Sequence, residues 1–337
     1  MHDAPGWSRI EAGPTPRLFA SATRCGDFVA IVGGVGADRA PVDDFWRWRD
    51  GAWAALPAQG APSPRVGHAA VWAGDRLCVW GGAVGREGVN DGACWLASRD
   101  RWVPMSADGA PTPRRRHALA WVDGRVMVFG GEDDEGETLG DGALYDPTRD
   151  AWTPLPEGGP RPRADAWLLP FESRVAVGGG VGEALALGAD DGAWFDPAAN
   201  RWGPLDVGGG PTAREGALIV GAGGGLLALG EELSRFDPRE GGWRPRSRQD
   251  APSRRWSAAA VEVPGGAVVW GGIDGGGALG DGARYDLEAD RWSPLPTEGA
   301  PSARQDPLAF FDGARLVILW GANEGGLLAD GYALPLR

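Results

Sequence analysis

The residues of this chain best equipped for chemistry sit in short stretches that each come after an arginine. After Arg17, Arg65, Arg114, Arg163, Arg214, Arg254 and Arg304 come Leu18-Phe19-Ala20, Val66-Gly67-His68, Arg115-Arg116-His117, Ala164-Asp165-Ala166, Glu215-Gly216-Ala217, Arg255-Trp256-Ser257 and Gln305-Asp306-Pro307. The arginine recurs, and the three residues after it change from copy to copy. Arg115, Arg116 and Arg255 bring cations with several donors. Asp165, Glu215 and Asp306 bring carboxylates, and Trp256 brings an indole able to stack. A floor of mixed charge with an aromatic suits a polar ligand, zwitterionic or sugar-like. The competing reading is a solvated rim whose charges pair among themselves.

His68 and His117 complete the candidate ligand-binding set. With Glu132, Asp165 or Glu215 they have the donor types of a metal site, but the expectation is no metal and no cofactor, each imidazole being packed and bonded to backbone. Asp165 and Asp306 are the candidates for acid and base if the chain is an enzyme. The acidic stretch Glu132–Glu137 lacks the glycine and spacing of a calcium-binding EF-hand loop. No nucleophile elbow, phosphate loop or HExxH pair occurs.

These stretches are positioned by a repeat. In Leu119-Ala-Trp-Val-Asp-Gly-Arg-Val-Met-Val-Phe-Gly-Gly131 an apolar run, a tight turn and a second apolar run end in Gly-Gly. Asp141-Gly-Ala-Leu-Tyr-Asp-Pro147 and Ala151-Trp-Thr-Pro-Leu-Pro156 come next, and the cycle restarts. The second glycine falls at Gly34, Gly82, Gly131, Gly180 and Gly272, with degenerate copies read at Gly230-Glu231 and Gly321-Ala322. A period near 50 residues holding four strands predicts a propeller blade. Seven copies predict an all-β, seven-bladed β-propeller of four-stranded antiparallel blades.

The fourth strand of each blade carries a tryptophan: Trp53, Trp102, Trp152, Trp202, Trp243 and Trp292. The last copy ends after its third strand, so Trp7 and its neighbours are expected to supply the missing outer strand and close the ring. One domain, 1–337, then divides into 16–56, 64–105, 113–156, 162–205, 213–245, 254–296 and 303–337, with 5–10 completing the last blade. The seven outer tryptophans are expected between blades, as are Trp80, Trp270 and Trp320. The recurrent arginines, matched by Asp44, Asp91, Asp141, Asp191, Glu232, Asp281 and Asp330, are expected to form inter-blade ion pairs rather than an anion funnel. Between Leu229 and Leu233 the fifth copy lacks nearly all of its loop, leaving a gap in the rim on that face.

Gly-Gly after the second strand, an aromatic several residues on (Tyr145, Phe195, Phe236, Tyr285) and a tryptophan beyond it resemble the kelch family over essentially the whole chain. The resemblance implies a binding module for a small polar ligand, sugar or peptide, or a scaffold for a protein partner through its acidic loops. It also leaves open an enzyme acting on a sugar or small metabolite. The copper-oxidase type similar to galactose oxidase needs paired tyrosines, histidine and cysteine. Here Tyr145, Tyr285 and Tyr332 all fall on third strands, which argues against that chemistry.

Composition narrows the partners. A net charge of −13 argues against nucleic acid, and no apolar run is long enough for a membrane helix. All 33 basic residues are arginine, and the wealth of Gly, Ala, Arg and Pro fits a GC-rich, bacterial genome. The N-terminus shows no signal-peptide pattern, so the sequence as written reads as a soluble, cytoplasmic monomer, exported only if a leader has been removed. Cys25, Cys78 and Cys94 imply no disulfide framework. Cys78 and Cys94 fall on adjacent strands, but a bridge is not the favoured reading.

Overall fold

In the third repeat, the apolar runs pair because a two-residue turn joins them. Asp123 and Gly124 adopt φ of 47° and 73°, the left-handed pair that matches strand twist. Strands Ala118–Val122, Arg125–Phe129, Gly142–Asp146 and Ala151–Pro154 form one antiparallel sheet in sequence order. Val126, Met127, Val128 and Phe129 are all fully buried, because neighbouring blades cover both faces of the second strand.

The computed structural model describes residues 6–11, 13–182, 191–208 and 218–336. Seven such four-stranded sheets are present. The first runs Ser21–Cys25, Phe28–Val32, Phe45–Arg49, Ala52–Ala55, and the sixth runs Ala259–Val263, Gly266–Trp270, Gly282–Asp286, Arg291–Pro294. The seventh takes Leu308–Phe311, Arg315–Leu319 and Gly331–Pro335 from the C-terminal end and Ser8–Ile10 from the N-terminal end. Ser8 opposes Ala333 and Ile10 opposes Gly331, so first and last segments are stitched and no inner edge is left open. In the fifth blade only residues 230–232 separate Gly225–Leu229 from Leu233–Phe236, as the shortened repeat requires.

Four outer-strand tryptophans sit between blades and share one kind of hydrogen bond. Each indole N–H of Trp102, Trp152, Trp202 and Trp7 donates to the carbonyl of Pro57, Ser106, Pro156 and Pro296, at 2.8, 2.7, 2.9 and 2.7 Å. The acceptor always lies just past the outer strand of the preceding blade, so each tryptophan buries apolar area and ties two blades.

The recurrent arginines are buried, but their bonds correct the inter-blade expectation. Arg17–Asp44, Arg65–Asp91, Arg114–Asp141, Arg163–Asp191 and Arg304–Asp330 each join two loops of the same blade. The contact that crosses to the neighbour is stacking: Arg17 lies 5.4 Å over Trp320 and Arg304 lies 5.9 Å over Trp270. The corresponding Arg214 lies outside the described residues.

In the sixth blade the scaffold arginine is Arg255, not Arg254. Arg255 is 4% exposed and bonds Asp281 at 3.0 Å and the Gly271 carbonyl at 3.1 Å. Arg254 is outside, bonded to Glu231 at 3.1 Å. The seventh repeat is likewise shifted by one. Gly321, φ 92°, occupies the place of the second glycine, and Trp320, φ 53°, that of the first. A Cβ on Gly82, Gly131 or Gly321 would come within 2.7–2.8 Å of the carbonyl oxygen one residue past the scaffold arginine. That close approach requires a glycine at the second position in these copies.

Cys78 and Cys94 are directly opposed across adjacent strands with Cα atoms 4.0 Å apart, and they form a disulfide. The expectation of unlinked thiols is thereby corrected. Position on neighbouring strands does not fix register, and register decides whether two Cβ atoms face. Cys25 is buried and unlinked, its thiol pushed up to about 12 by desolvation, partly opposed by a backbone hydrogen bond.

Non-reducing peptide mapping should recover the segments around Cys78 and Cys94 as one linked species, with Cys25 alkylated only after unfolding; a Cys25 linkage would contradict the pairing. Trp7→Ala should cost about 3–5 kcal/mol in equilibrium denaturation, whereas Val103→Ala, at an exposed position of another outer strand, should stay within about 0.5 kcal/mol.

Candidate functional site

The scaffold arginine and the second glycine frame the channel mouth. The residue directly after the arginine pairs with the residue directly after Gly-Gly: Arg115 with Glu132, Ala164 with Val181, Trp256 with Ile273, Gln305 with Ala322. The next residue then turns left-handed in every described blade. φ is 60° at Phe19, 65° at Gly67, 57° at Arg116, 53° at Asp165, 52° at Ser257 and 49° at Asp306.

These left-handed residues connect the blades through backbone. The N–H of Arg116 donates to Gly67 at 2.9 Å, that of Asp165 to Arg116 at 2.8 Å, and that of Asp306 to Ser257 at 2.8 Å. Hydrogen-bonded backbones lie about 5 Å apart, so these links hold neighbouring blades close at the mouth. The backbone is fixed by the fold, and the side chains are free to differ.

On one side of the mouth the charges form a network. Arg115 and Arg116 both bond Glu132, at 2.7 and 2.6 Å, and Arg116 also bonds Asp165 at 2.5 Å. Glu132 is 14% exposed and is thus shared between two guanidinium groups. The hydrogen bond donated to Asp165, with the charges of Asp165 and Glu132, pushes the Arg116 guanidinium above its ordinary value. Arg115, Arg116 and Asp165 are therefore brought together as partners of one another through Glu132.

Elsewhere the predicted set divides. With Arg255 in the scaffold, Trp256 takes the place of Arg115 and Ser257 that of Arg116. Trp256 is 42% exposed, with Arg254 5.8 Å over its ring. The Asp306 carboxylate has no hydrogen-bond or ion-pair partner among the described residues. Glu215 lies outside those residues.

His68 and His117 do not face the mouth in the way a ligand set requires. Each wedges against the first glycine of the preceding blade: a Cβ at Gly33 or Gly81 would fall 2.4 or 2.5 Å from the imidazole. His68 also lies 3.2 Å from the Ser21 hydroxyl, and His117 meets Trp80 edge-on at 5.0 Å. Desolvation, then the nearby Arg65 or Arg114 charge, lowers the imidazoles to about 4 and about 3. Both are neutral spacers at pH 7. Among the described residues no cluster of three His, Cys, Asp or Glu side chains is placed to hold a metal.

Phe19 is not among the predicted site residues, yet it is 65% exposed and holds a left-handed backbone. Its signal in the sequence is an aromatic where other copies place Gly67, Asp165 and Asp306, residues tolerant of that conformation. Around the mouth, short hairpins at Ala83–Val84 with Glu87–Gly88 and Ile273–Asp274 with Gly277–Ala278 raise the rim. Asp134 accepts the Gly88 N–H at 2.7 Å and links two of these loops. Where the fifth loop is missing, Arg248 donates to the carbonyls of Gly230 and Glu231 at 2.5 and 2.6 Å and closes the floor of the gap.

A family model described as the KLHDC2/KLHL20/DRC7 Kelch-repeats domain matches residues 19–230, well over half of the chain. The match runs from the mouth residue of the first blade to the shortened loop of the fifth.

Buried neutral histidines give the fold a pH dependence with a fixed sign. Because the folded-state values are lowered, their contribution is fully present above about 6.5, the unfolded value, and is lost as pH falls toward about 4 and about 3. At pH 5 the loss from His117 is about 2 kcal/mol. His68 loses a similar amount, so denaturation curves at pH 7 and 5 should differ by about 4 kcal/mol, and His117→Leu should roughly halve that difference. An unchanged difference in that variant would assign it to other groups.

Proposed function

The chain belongs to the kelch-repeat family, and from that premise we propose that it is a monomeric binding module whose channel mouth takes a small polar ligand, a sugar or a peptide. The observation that carries this reading is a contrast within one stretch of backbone. Each described scaffold arginine is held by acceptors of its own blade, while the two residues after it differ in every copy. Repetition serves the scaffold, whereas an asymmetric ligand requires positions that break it.

In this reading the Arg115–Arg116–Glu132–Asp165 network offers donors and acceptors already fixed in place, so little ordering is required on binding. Trp256 offers a stacking face, and Asp306 and Glu215 offer further carboxylates. Binding fits better than acid–base catalysis by Asp165 and Asp306, because Asp165 is held in an ion pair with Arg116 and a general base must reach its substrate.

A thermal-shift panel of monosaccharides, amino acids and short peptides should yield at least one stabilising class. Arg116→Gly, which suits the left-handed backbone, and Trp256→Ala should each weaken that binder at least tenfold while leaving the unliganded melting temperature nearly unchanged. Undiminished affinity in both variants would place the ligand elsewhere.

A further inference from the structure

Phe19 is doubly unfavourable for folding alone. Its bulky side chain sits at φ 60°, a conformation that glycine, asparagine and aspartate tolerate far better. The ring is also 65% exposed, so it adds little to the core. In the ring of left-handed residues, Phe19 of the first blade and Trp256-Ser257 of the sixth stand on either side of the seventh blade's Asp306. The Asp306 N–H is bonded to the Ser257 carbonyl at 2.8 Å, and the first inner strand packs on that of the seventh blade. In backbone order round the ring, the exposed Phe19 and the Ser257 that follows the exposed Trp256 are thus the neighbours of Asp306, the ring carboxylate with no partner among the described residues. Asp165, the other described carboxylate of the ring, is neutralised by Arg116.

A carboxylate in the same rim as exposed aromatic side chains is complementary to a cation, through charge and through the ring quadrupole. The local precedent is internal: Arg254 already stands over the Trp256 ring and is held by Glu231. The surrounding field has the same sign. Loops on this face carry Asp133, Glu135, Glu137 and Glu324, whereas on the opposite face turn acids meet adjacent arginines, as in Asp75–Arg76, Asp146–Arg149 and Asp312–Arg315. An acidic field spread over a whole face steers an extended polycation more than a single small amine.

We infer that Phe19, Asp306 and Trp256 form a cation-accepting subsite that docks an arginine or lysine side chain of a basic polypeptide segment. The inference rests on the mouth being the binding surface. It assigns the polar ligand's charge and makes Phe19 a recognition residue at the expense of backbone strain.

The test uses the full chain and three probes: a capped Arg-Gly octapeptide, its Glu-Gly counterpart and free arginine amide. The Arg-Gly peptide should bind, the Glu-Gly peptide should not, and raising salt from 50 to 200 mM should weaken binding severalfold. Phe19→Gly and Asp306→Asn should each reduce affinity at least tenfold. Phe19→Gly should melt at the same or a higher temperature, because it relieves the left-handed strain, so its loss of binding cannot come from unfolding. No binding of the Arg-Gly peptide, or binding unaffected by both substitutions, overturns the inference. Arginine amide binding as tightly as the peptide overturns the polypeptide part. A sugar or neutral peptide whose binding is lost in Trp256→Ala, beside an inert Arg-Gly peptide, keeps the mouth as the site and rejects its cationic specificity.

Discussion

The buried guanidinium at the start of each described inner strand is the interaction on which the rest of the structure depends. Arg114 shows how it works. Its Nε donates to Thr112 O, its Nη1 to the Gly130 carbonyl and to Asp141, and its Nη2 to Thr112 Oγ1 and Asp141 Oδ2, all between 2.8 and 3.3 Å. Every N–H of the planar fork has an acceptor. Asp141 itself is well exposed, so the desolvation of the cation is offset as much by neutral carbonyls as by the carboxylate. A lysine could not span these directions. One side chain therefore fixes the loop before the first strand to the loop after the second.

That fixation builds the mouth. The arginine places the next residue in register with the one after Gly-Gly, and the second glycine admits the carbonyl between them. The chain must then turn left-handed to enter the inner strand, which brings its N–H within reach of the neighbouring blade. The fold dictates backbone at these positions and leaves the side chains unspecified. Within three consecutive residues the arginine is thus fixed by the fold, while the next two are free to vary. That division also explains why Arg115 and Arg116, adjacent in sequence to a buried structural arginine, lie at the surface with wholly different partners.

Much of this is legible in the sequence because a repeat reports its own scaffold. The Gly-Gly period gives blade number and strand order, and the unmatched Trp7 foretells the closing strand. Legibility fails where one residue of register matters. Arg254-Arg255 offers two equal candidates for one scaffold place, and only bonding to Gly271 and Asp281 chooses between them. Trp320-Gly321-Ala322 reads as a pair missing its second glycine until the carbonyl approach shows that the first is missing. Cys78 and Cys94 need cross-strand register. The mutual pairing of Arg115, Arg116, Glu132 and Asp165 needs side-chain geometry, since residues from two loops and two blades converge there.

Phe19 escapes sequence reading for a different reason. Such reading weighs side chains by their chemistry, and phenylalanine offers no proton, charge or hydrogen bond. Its meaning lies in the backbone it is forced to adopt. Local conformational conflict persists only when something else holds it. At Gly67, Asp165 and Asp306 the left-handed turn is met by a tolerant residue, so no conflict arises. At Phe19 and Trp320 a bulky aromatic takes such a backbone. Trp320 is fully buried, with Arg17 stacked on it, so packing holds that conflict. Phe19 lacks such burial; its backbone is held instead by the turn that every described blade makes here, with Leu18 and Val35 exchanging hydrogen bonds of 3.0 and 2.8 Å, so the fold sets the conformation and leaves the exposed ring without a packing role.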